Sequence, residues 1–127
     1  MSEKSLKPHR NLVAWQKGMD LVMAVYKLTR DFPEREVYGL SSQLRRAALP
    51  VPSNIAEGHA RASTRESLHH LSIARGSLAE TETQLLVALK LGYLVKTVLR
   101  ESWEIMQEVG KLLNRLMQSL ERKESAE

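Results

Sequence analysis

Apolar side chains recur near the end of this chain in two parallel rows on one helical segment, between about Thr97 and Arg122. The first row alternates intervals of four and three residues: Leu99, Trp103, Met106, Gly110, Leu113, Met117 and Leu120. The second row lies beside it: Val98, Ser102, Ile105, Val109, Leu112 and Leu116. Such spacing is typical of helices packed in left-handed bundles. The pattern predicts a long helix with a broad apolar face.

Two helices are predicted in the first half of the chain. The first begins near Asn11, a favourable N-cap residue, and runs to about Arg30. Pro33 follows closely, and the residue before a proline disfavours helical backbone angles. The second helix is predicted from about Gly39 to Ala60.

A third helix has the clearest start signal. Ser63 and Glu66 have the spacing of a capping box, in which each side chain satisfies the other residue's backbone amide. The helix should continue to about Leu91, where Gly92 supplies a left-handed C-cap. A row with many small members follows it: Ser67, Leu71, Ala74, Leu78, Thr81, Leu85 and Ala88.

Four helices with short connections predict an all-α protein with an antiparallel up-and-down four-helix bundle. The bundle should span residues 11–122. Residues 1–10 are predicted to be a flexible N-terminal segment, and residues 123–127 a frayed tail.

The second helix contains two prolines, Pro50 and Pro52, which predict a kink. Each proline removes a backbone donor, and together they free the carbonyls of Arg46 and Ala48. Buried carbonyls need other partners. Polar side chains follow directly at Asn54 and Glu57, with Arg61 one turn beyond Glu57. These groups form either a small binding pocket or a self-satisfied network that fixes the kink and the bundle register.

Two apolar rows make a face wider than one core usually needs. The first helix is similar, with one stripe of Trp15, Met19, Val22, Met23 and Tyr26 and another of Leu21, Val25 and Leu28. Because uncovered apolar surface marks an interface, we predict a homo-oligomer, cyclic in form, built through the first and fourth helices. The interface candidates are Trp15, Met19, Met23, Trp103, Met106 and Leu113. The alternative is a single bundle that buries the whole face, and the pattern leaves open which row faces the core.

Composition excludes several classes of protein. The chain has 127 residues, of which 43% are hydrophobic and 27% charged, and this favours one globular domain. It has no cysteine, so neither a disulfide framework nor a thiolate metal site is available. No apolar run approaches the roughly 18 residues needed to span a bilayer, and the polar N-terminus lacks a signal-peptide core. We therefore expect a soluble, cytoplasmic protein with no membrane partner.

Several ordered blocks of sequence carry a family resemblance over roughly Leu12 to Leu94. They are Val13-Ala14-Trp15-Gln16-Lys17, Phe32-Pro33-x-x-Glu36-x-Tyr38-Gly39-Leu40, Gln43-Leu44-Arg45-Arg46-Ala47-Ala48, Pro52-Ser53-Asn54-Ile55-Ala56-Glu57-Gly58 and Ile73-Ala74-Arg75-Gly76-Ser77-Leu78-Ala79-Glu80. The chain resembles the four-helix bundle proteins encoded in intervening sequences of bacterial 23S ribosomal RNA genes. Position 50 departs from that family's pattern, which has serine where this chain has proline.

The resemblance implies a four-helix bundle that assembles as a homopentamer. The family is also distantly similar to the accessory variability protein of diversity-generating retroelements. That protein binds reverse transcriptase and nucleic acid through a basic pentameric surface. The resemblance therefore makes RNA, DNA or a nucleic-acid-processing enzyme a candidate partner, by analogy of fold.

Basic residues give a modest signal of their own. The net charge is +4. Arginines cluster around the second and third helices and are the candidate phosphate-binding residues: Arg45, Arg46, Arg61, Arg65 and Arg75. In the fourth helix, acidic Glu101, Glu104 and Glu108 precede basic Lys111, Arg115 and Arg122. Either the basic half meets phosphates, or the order of signs complements the helix dipole. No aromatic residues alternate with the arginines, so stacking on single strands is not supported.

Enzyme chemistry has little support. Glu66-x-x-His69 has the spacing of di-iron ligands but occurs once, whereas a di-iron bundle needs a second such pair. Glu80 and Glu82 lack a base or metal beside them, and there is no Gly-rich phosphate loop. We expect no catalytic residue, metal, cofactor or small-molecule substrate.

The sequence therefore predicts a non-enzymatic, oligomeric bundle that acts as a binding or scaffold module. Nucleic acid or a nucleic-acid-processing enzyme is the candidate partner. The alternative is a structural homo-oligomer that binds another protein and has no nucleic-acid role.

Overall fold

A computed structural model describes residues 8–126. Its helices are α1 (Val13–Arg30), α2 (Leu40–Ala48), α3 (Pro50–Ala60), α4 (Thr64–Lys90) and α5 (Lys96–Ala126), with short 3-10 turns at Pro8–Asn11 and Glu34–Glu36. Helices α2 and α3 together form the kinked second helix of an antiparallel four-helix bundle, as predicted. Both α1 and α4 pack against this kinked helix and against α5, so α1 and α4 lie diagonally opposite each other.

The predicted helix ends are correct in part. The hydroxyl of Ser63 accepts the Glu66 backbone N–H at 3.1 Å, which confirms the cap of α4. Gly92 has a φ of 80°, as its C-cap role requires. Asn11 is not the N-cap of α1, because it ends a 3-10 turn and Leu12 takes the cap position without a side-chain bond. Helix α5 continues to Ala126, so it extends beyond the predicted end at Arg122 and includes residues 123–126 of the predicted frayed tail. Residues 1–7 of the predicted N-terminal segment, and Glu127, lie outside the described residues.

The kink interrupts the second helix, but the residue at the interruption keeps a helical backbone conformation. Leu49 separates α2 from α3 yet keeps helical angles, with φ −57° and ψ −41°. The Asn54 amide donates to the Pro50 carbonyl at 2.9 Å, and the Ser53 hydroxyl donates to the Leu49 carbonyl at 3.1 Å. The side-chain partners thus bind other carbonyls than the predicted ones. A Cβ on Gly18 would come within 3.3 Å of the Pro52 Cβ, so glycine lets α1 approach the kink closely.

The bundle core draws on both rows of the fourth helix. Helix α5 buries Leu99, Met106, Leu113 and Met117 from the first row, and Ser102 and Val109 from the second. Because α5 packs against both α1 and α4, the side of α5 that faces the core includes residues of both rows. On α4, the whole predicted row is buried except Ser67, which is half-buried. On α1, the buried positions are Ala14, Gly18, Leu21, Val22, Val25 and Thr29.

Candidate interaction surfaces

One side of the bundle exposes apolar side chains of α1. Met19, Met23 and Tyr26 are exposed, and Met23 keeps 65% of its surface accessible. The guanidinium of Arg45 lies 4.6 Å from the Tyr26 ring centroid, which places this stripe beside α2. Leu49 is exposed one helical turn after Arg45 and therefore lies on the same side. We define the α1 face as Trp15, Met19, Met23, Tyr26 and Leu49.

A second apolar surface lies on the opposite side, between α4 and α5. It is an open groove of about 310 Å³, lined by Leu86, Leu89, Lys96, Leu99, Arg100 and Trp103. Since α1 and α4 are diagonal in the bundle, this Trp103 groove and the α1 face point in opposite directions. The α1 face and the Trp103 groove are therefore two separate surfaces among the apolar surfaces of the described residues.

The interface residues predicted from the sequence are thus divided among three places. Trp15, Met19 and Met23 belong to the α1 face, and Trp103 belongs to the groove. Met106 and Leu113 were wrongly assigned to an interface. They retain only 2% and 0% of their surface because both point into the core of a single bundle.

A polar network joins α3 to α4 next to the kink. The His70 Nδ1 atom lies 3.1 Å from the Asn54 Oδ1 atom and 3.3 Å from a Glu57 carboxylate oxygen. The same Glu57 oxygen lies 3.4 Å from Arg61. Both Asn54 and Glu57, the predicted kink residues, are thus brought together. Both residues of α3 contact His70 on α4, and the sequence pattern did not predict a role for this histidine.

The geometry of this network favours a structural role over a binding pocket. The His70 side chain is only 15% exposed. Gly58 lets α3 and α4 approach closely, since a Cβ there would come within 3.1 Å of the Ser67 carbonyl oxygen. The Ser67 hydroxyl in turn donates to the Gly58 carbonyl at 2.7 Å. The polar groups therefore bind one another and fix the contact between the two helices.

Asn54→Ala should lower the free energy of unfolding by about 1–3 kcal/mol, because it removes the donor to Pro50 and leaves His70 with one partner fewer. Urea unfolding followed by circular dichroism measures the change. Ser53→Ala is the matched control, since Ser53 is exposed and bonds only its own helix. Equal effects of the two substitutions would contradict a cross-helix role for Asn54.

The two connections at the other end of the bundle are tied together by Glu36. One Glu36 oxygen accepts the Leu40 backbone N–H at 3.0 Å, and the other accepts the Tyr93 hydroxyl at 2.6 Å. A Cβ on Gly39 would come within 2.5 Å of the Glu36 carboxylate, so a larger residue there would displace this side chain from its present position. The Leu40 amide, and then the Tyr93 hydroxyl, lower the pKa of Glu36. Sequence alone could not pair residues so far apart.

This lowered pKa makes stability depend on pH. The Glu36 contribution is present above the ordinary pKa of 4.5 and is lost as the pH falls through the lower folded value. The melting temperature of the wild type should therefore fall more steeply than that of Glu36→Gln between about pH 6 and pH 3. Glu34→Gln, at an exposed position nearby, should retain the wild-type slope. Parallel curves for wild type and Glu36→Gln would contradict this coupling.

The five candidate phosphate-binding arginines do not form one patch. The Nε atom of Arg45 donates to the Thr29 hydroxyl at 2.9 Å on the α1 side of the bundle. Arg75 instead donates to Asn114 at 3.4 Å on the α4–α5 side. Arg61 pairs with Glu57. The side chains of Arg46 and Arg65 are exposed and make no hydrogen bond or ion pair with another residue of the described range.

A third, more polar groove runs between α1 and α5. Its volume is about 520 Å³, and it is lined by Asp20, Glu101, Glu104 and Glu108 together with Met23, Ala24 and Ile105. Met23 therefore borders both this groove and the α1 face. The ammonium of Lys17 lies 3.6 Å from Glu108 across this groove. Within residues 8–126, no three His, Asp or Glu side chains are placed to hold a metal ion. None of the described helices is both long and apolar enough to cross a membrane.

These features define an up-and-down four-helix bundle with apolar surfaces outside its core. A family model, the 23S rRNA-intervening sequence protein, matches residues 10–115, and the chain belongs to that family. A search of curated proteins found no match. Among solved structures, the chain is similar to a protein of unknown function of the S23 ribosomal protein family from Bacteroides thetaiotaomicron. That likeness has a TM-score of 0.74 and 22% identity, and covers 83% of this chain and 98% of the other. It supports the fold.

Proposed function

We propose that this protein is a non-enzymatic scaffold or binding module that assembles with copies of itself. The observation that carries the proposal is the pair of apolar surfaces, the α1 face and the Trp103 groove. Side chains such as Met23, with 65% of its surface accessible, are costly to leave in water over a contiguous area. A second copy of the chain would cover them.

The positions of the two surfaces favour a ring over a two-fold dimer. They differ in residues and lie on opposite sides of the bundle, so the α1 face of one copy would pack into the Trp103 groove of the next. Such head-to-tail contacts close into a ring when the rotation between neighbours permits. The family resemblance gives five as the expected number of copies.

Two variants, each lacking one surface, test this arrangement. Met19→Glu with Met23→Glu removes the α1 face, and Leu86→Glu removes the groove. Each should be monomeric alone, because a charge buried in an apolar interface is unfavourable. Mixed together, they should form one-to-one pairs, because the intact groove of one variant can bind the intact α1 face of the other. The pairs should grow no further, because the two surfaces left over carry the substitutions. Native mass spectrometry measures both results.

The mixing result separates head-to-tail from face-to-face contacts. If α1 faces packed against each other, Leu86→Glu alone would remain oligomeric, and mixing it with the other variant would give no new species. That outcome would contradict the proposed ring. Leu86→Lys provides a second groove variant with the opposite charge and should behave as Leu86→Glu does.

Nucleic acid is the second candidate partner. Arg46 and Arg65 favour it, since both side chains are exposed and form no ion pair in the described residues. In an assembly, the electrostatic potentials of these arginines from several copies would add. Fluorescence anisotropy with RNA and DNA at several salt concentrations tests this. Phosphate contacts predict affinity that falls with salt, and Arg46→Ala with Arg65→Ala should flatten that slope by about two units. Absence of binding at low salt would reject nucleic acid and leave the scaffold role standing.

A further inference from the structure

The outward side of α5 has opposite charge in its two halves. Glu101, Glu104, Glu108, Lys111, Arg115 and Arg122 are all exposed, and we call them the charged ridge. Steps of three, four or seven residues separate consecutive members, so they lie on one side of the helix. The ridge shares no residue with the α1 face or the Trp103 groove, although Glu101, Glu104 and Glu108 line the same polar groove as Met23 of the α1 face.

The helix dipole does not account for the middle of the ridge. Dipole effects on side chains fall off within the first and last turns of a helix. Helix α5 spans Lys96–Ala126, so Glu104, Glu108, Lys111 and Arg115 lie two turns or more from both ends. Within a single chain, Glu108 reaches Lys17 at 3.6 Å. Among described residues, the other ridge members make no ion pair within the chain.

We propose that the charged ridge binds the ridge of a second copy in antiparallel orientation, across a two-fold axis. Reversal places the acidic half of one copy against the basic half of the other. Glu101 precedes Glu108 by seven residues, and Arg115 precedes Arg122 by the same seven. One register therefore sets Glu101 opposite Arg122 of the partner subunit and Glu108 opposite Arg115 of the partner subunit. Symmetry repeats both pairs.

The residues at the centre of this register are also compatible with a close contact between the two helices. The two-fold axis passes between Lys111 and Leu112, so Lys111 lies opposite Leu112 of the partner subunit. Leu112 is half-buried and presents apolar surface that the alkyl stem of a lysine can cover. Exposed ion pairs are individually weak, and salt screens them. The contact is therefore a salt-sensitive association that forms at low salt. The monomers and pairs expected of the ring variants are those measured at salt concentrations that screen it.

The ridge contact goes beyond the proposed ring. It is isologous, whereas the contact between the α1 face and the groove is heterologous. Two rings, or two single copies, would be joined in pairs by their ridges. An assembly that uses both contacts contains an even number of copies. Variants of the ridge leave the ring surfaces intact, so each proposal can fail without the other.

Disulfide trapping tests the register, because the chain has no cysteine of its own. Lys111→Cys places a thiol beside the two-fold axis and near its counterpart. Ser119→Cys is the control: it is exposed on the same helix but lies opposite Glu104 of the partner subunit, far from its own counterpart. Under mild oxidation at low salt, Lys111→Cys should cross-link about tenfold faster than Ser119→Cys, and added salt should abolish the difference.

Charge exchange provides the second half of the test. In the Lys111→Cys background, Glu108→Arg should slow cross-linking, because it sets like charges opposite each other. Adding Arg115→Glu should restore the rate, since the pair is then re-formed with its signs reversed. Failure of the double exchange to restore cross-linking, or equal rates for Lys111→Cys and Ser119→Cys, would overturn the proposal. Circular dichroism of these exposed variants checks that each one is folded.

Discussion

A Leu113→Ala substitution should destabilise the folded protein by about 2–5 kcal/mol. Leu113 is fully buried in the core, where α5 packs against its neighbours. Truncation to alanine removes buried apolar surface and leaves a cavity that the close-packed bundle fills only in part. Urea unfolding at a fixed protein concentration measures the loss. The concentration must be fixed because assembly itself contributes to stability.

The adjacent residue provides the matched control for this result. Leu112 belongs to the other apolar row and is only half-buried, so Leu112→Ala should cost clearly less than Leu113→Ala. The two substitutions remove the same atoms from neighbouring positions of one helix. Equal losses would contradict the described difference in burial between the two residues. A larger loss at Leu112 would mean that Leu112, and not Leu113, faces the core.

Met19→Glu with Met23→Glu should have the opposite effect: assembly is lost while the fold remains stable. Both side chains are exposed in the single bundle, so glutamate there meets water and costs the monomer little. At a contact between copies, the same two carboxylates would be buried without partners, which is strongly unfavourable. Sedimentation velocity should show the variant as a monomer, with the far-ultraviolet circular dichroism of a folded bundle.

The control for this pair adds the same charge elsewhere. Ser72→Glu with Thr83→Glu places two carboxylates at exposed positions of α4, outside both apolar surfaces. This variant should assemble as the wild type does. If both double variants lost assembly, net charge rather than the α1 face would be the cause.

The fold was predictable because its signals are local. The row of small and apolar residues on α4 repeats at intervals that one helix can show by itself, and Ser63 caps that helix within four residues of sequence. The broad face of α5 was also visible. Which row is buried was not, because that depends on where α1 and α4 pack against the helix. Met106 and Leu113 were misassigned for this reason.

The surface features could not be predicted from the sequence, because they depend on contacts between residues of different helices. Asn54 and Glu57 were predicted as a polar pair, but their partner His70 lies on another helix and has no distinguishing signal in the sequence. Glu36 and Tyr93 are likewise far apart along the chain. The arginines look clustered in sequence, yet Arg45 and Arg75 bind side chains on opposite sides of the bundle. Which helices are neighbours decides which polar groups meet.

Sedimentation equilibrium of the wild-type protein at micromolar concentration tests self-assembly most directly. The chain has a mass of 14.4 kDa. At a salt concentration that screens the charged ridge, assembly through the α1 face and the Trp103 groove predicts a single species of several times this mass, five times according to the family resemblance. A species of 14.4 kDa that persists across the micromolar range would contradict the proposed scaffold.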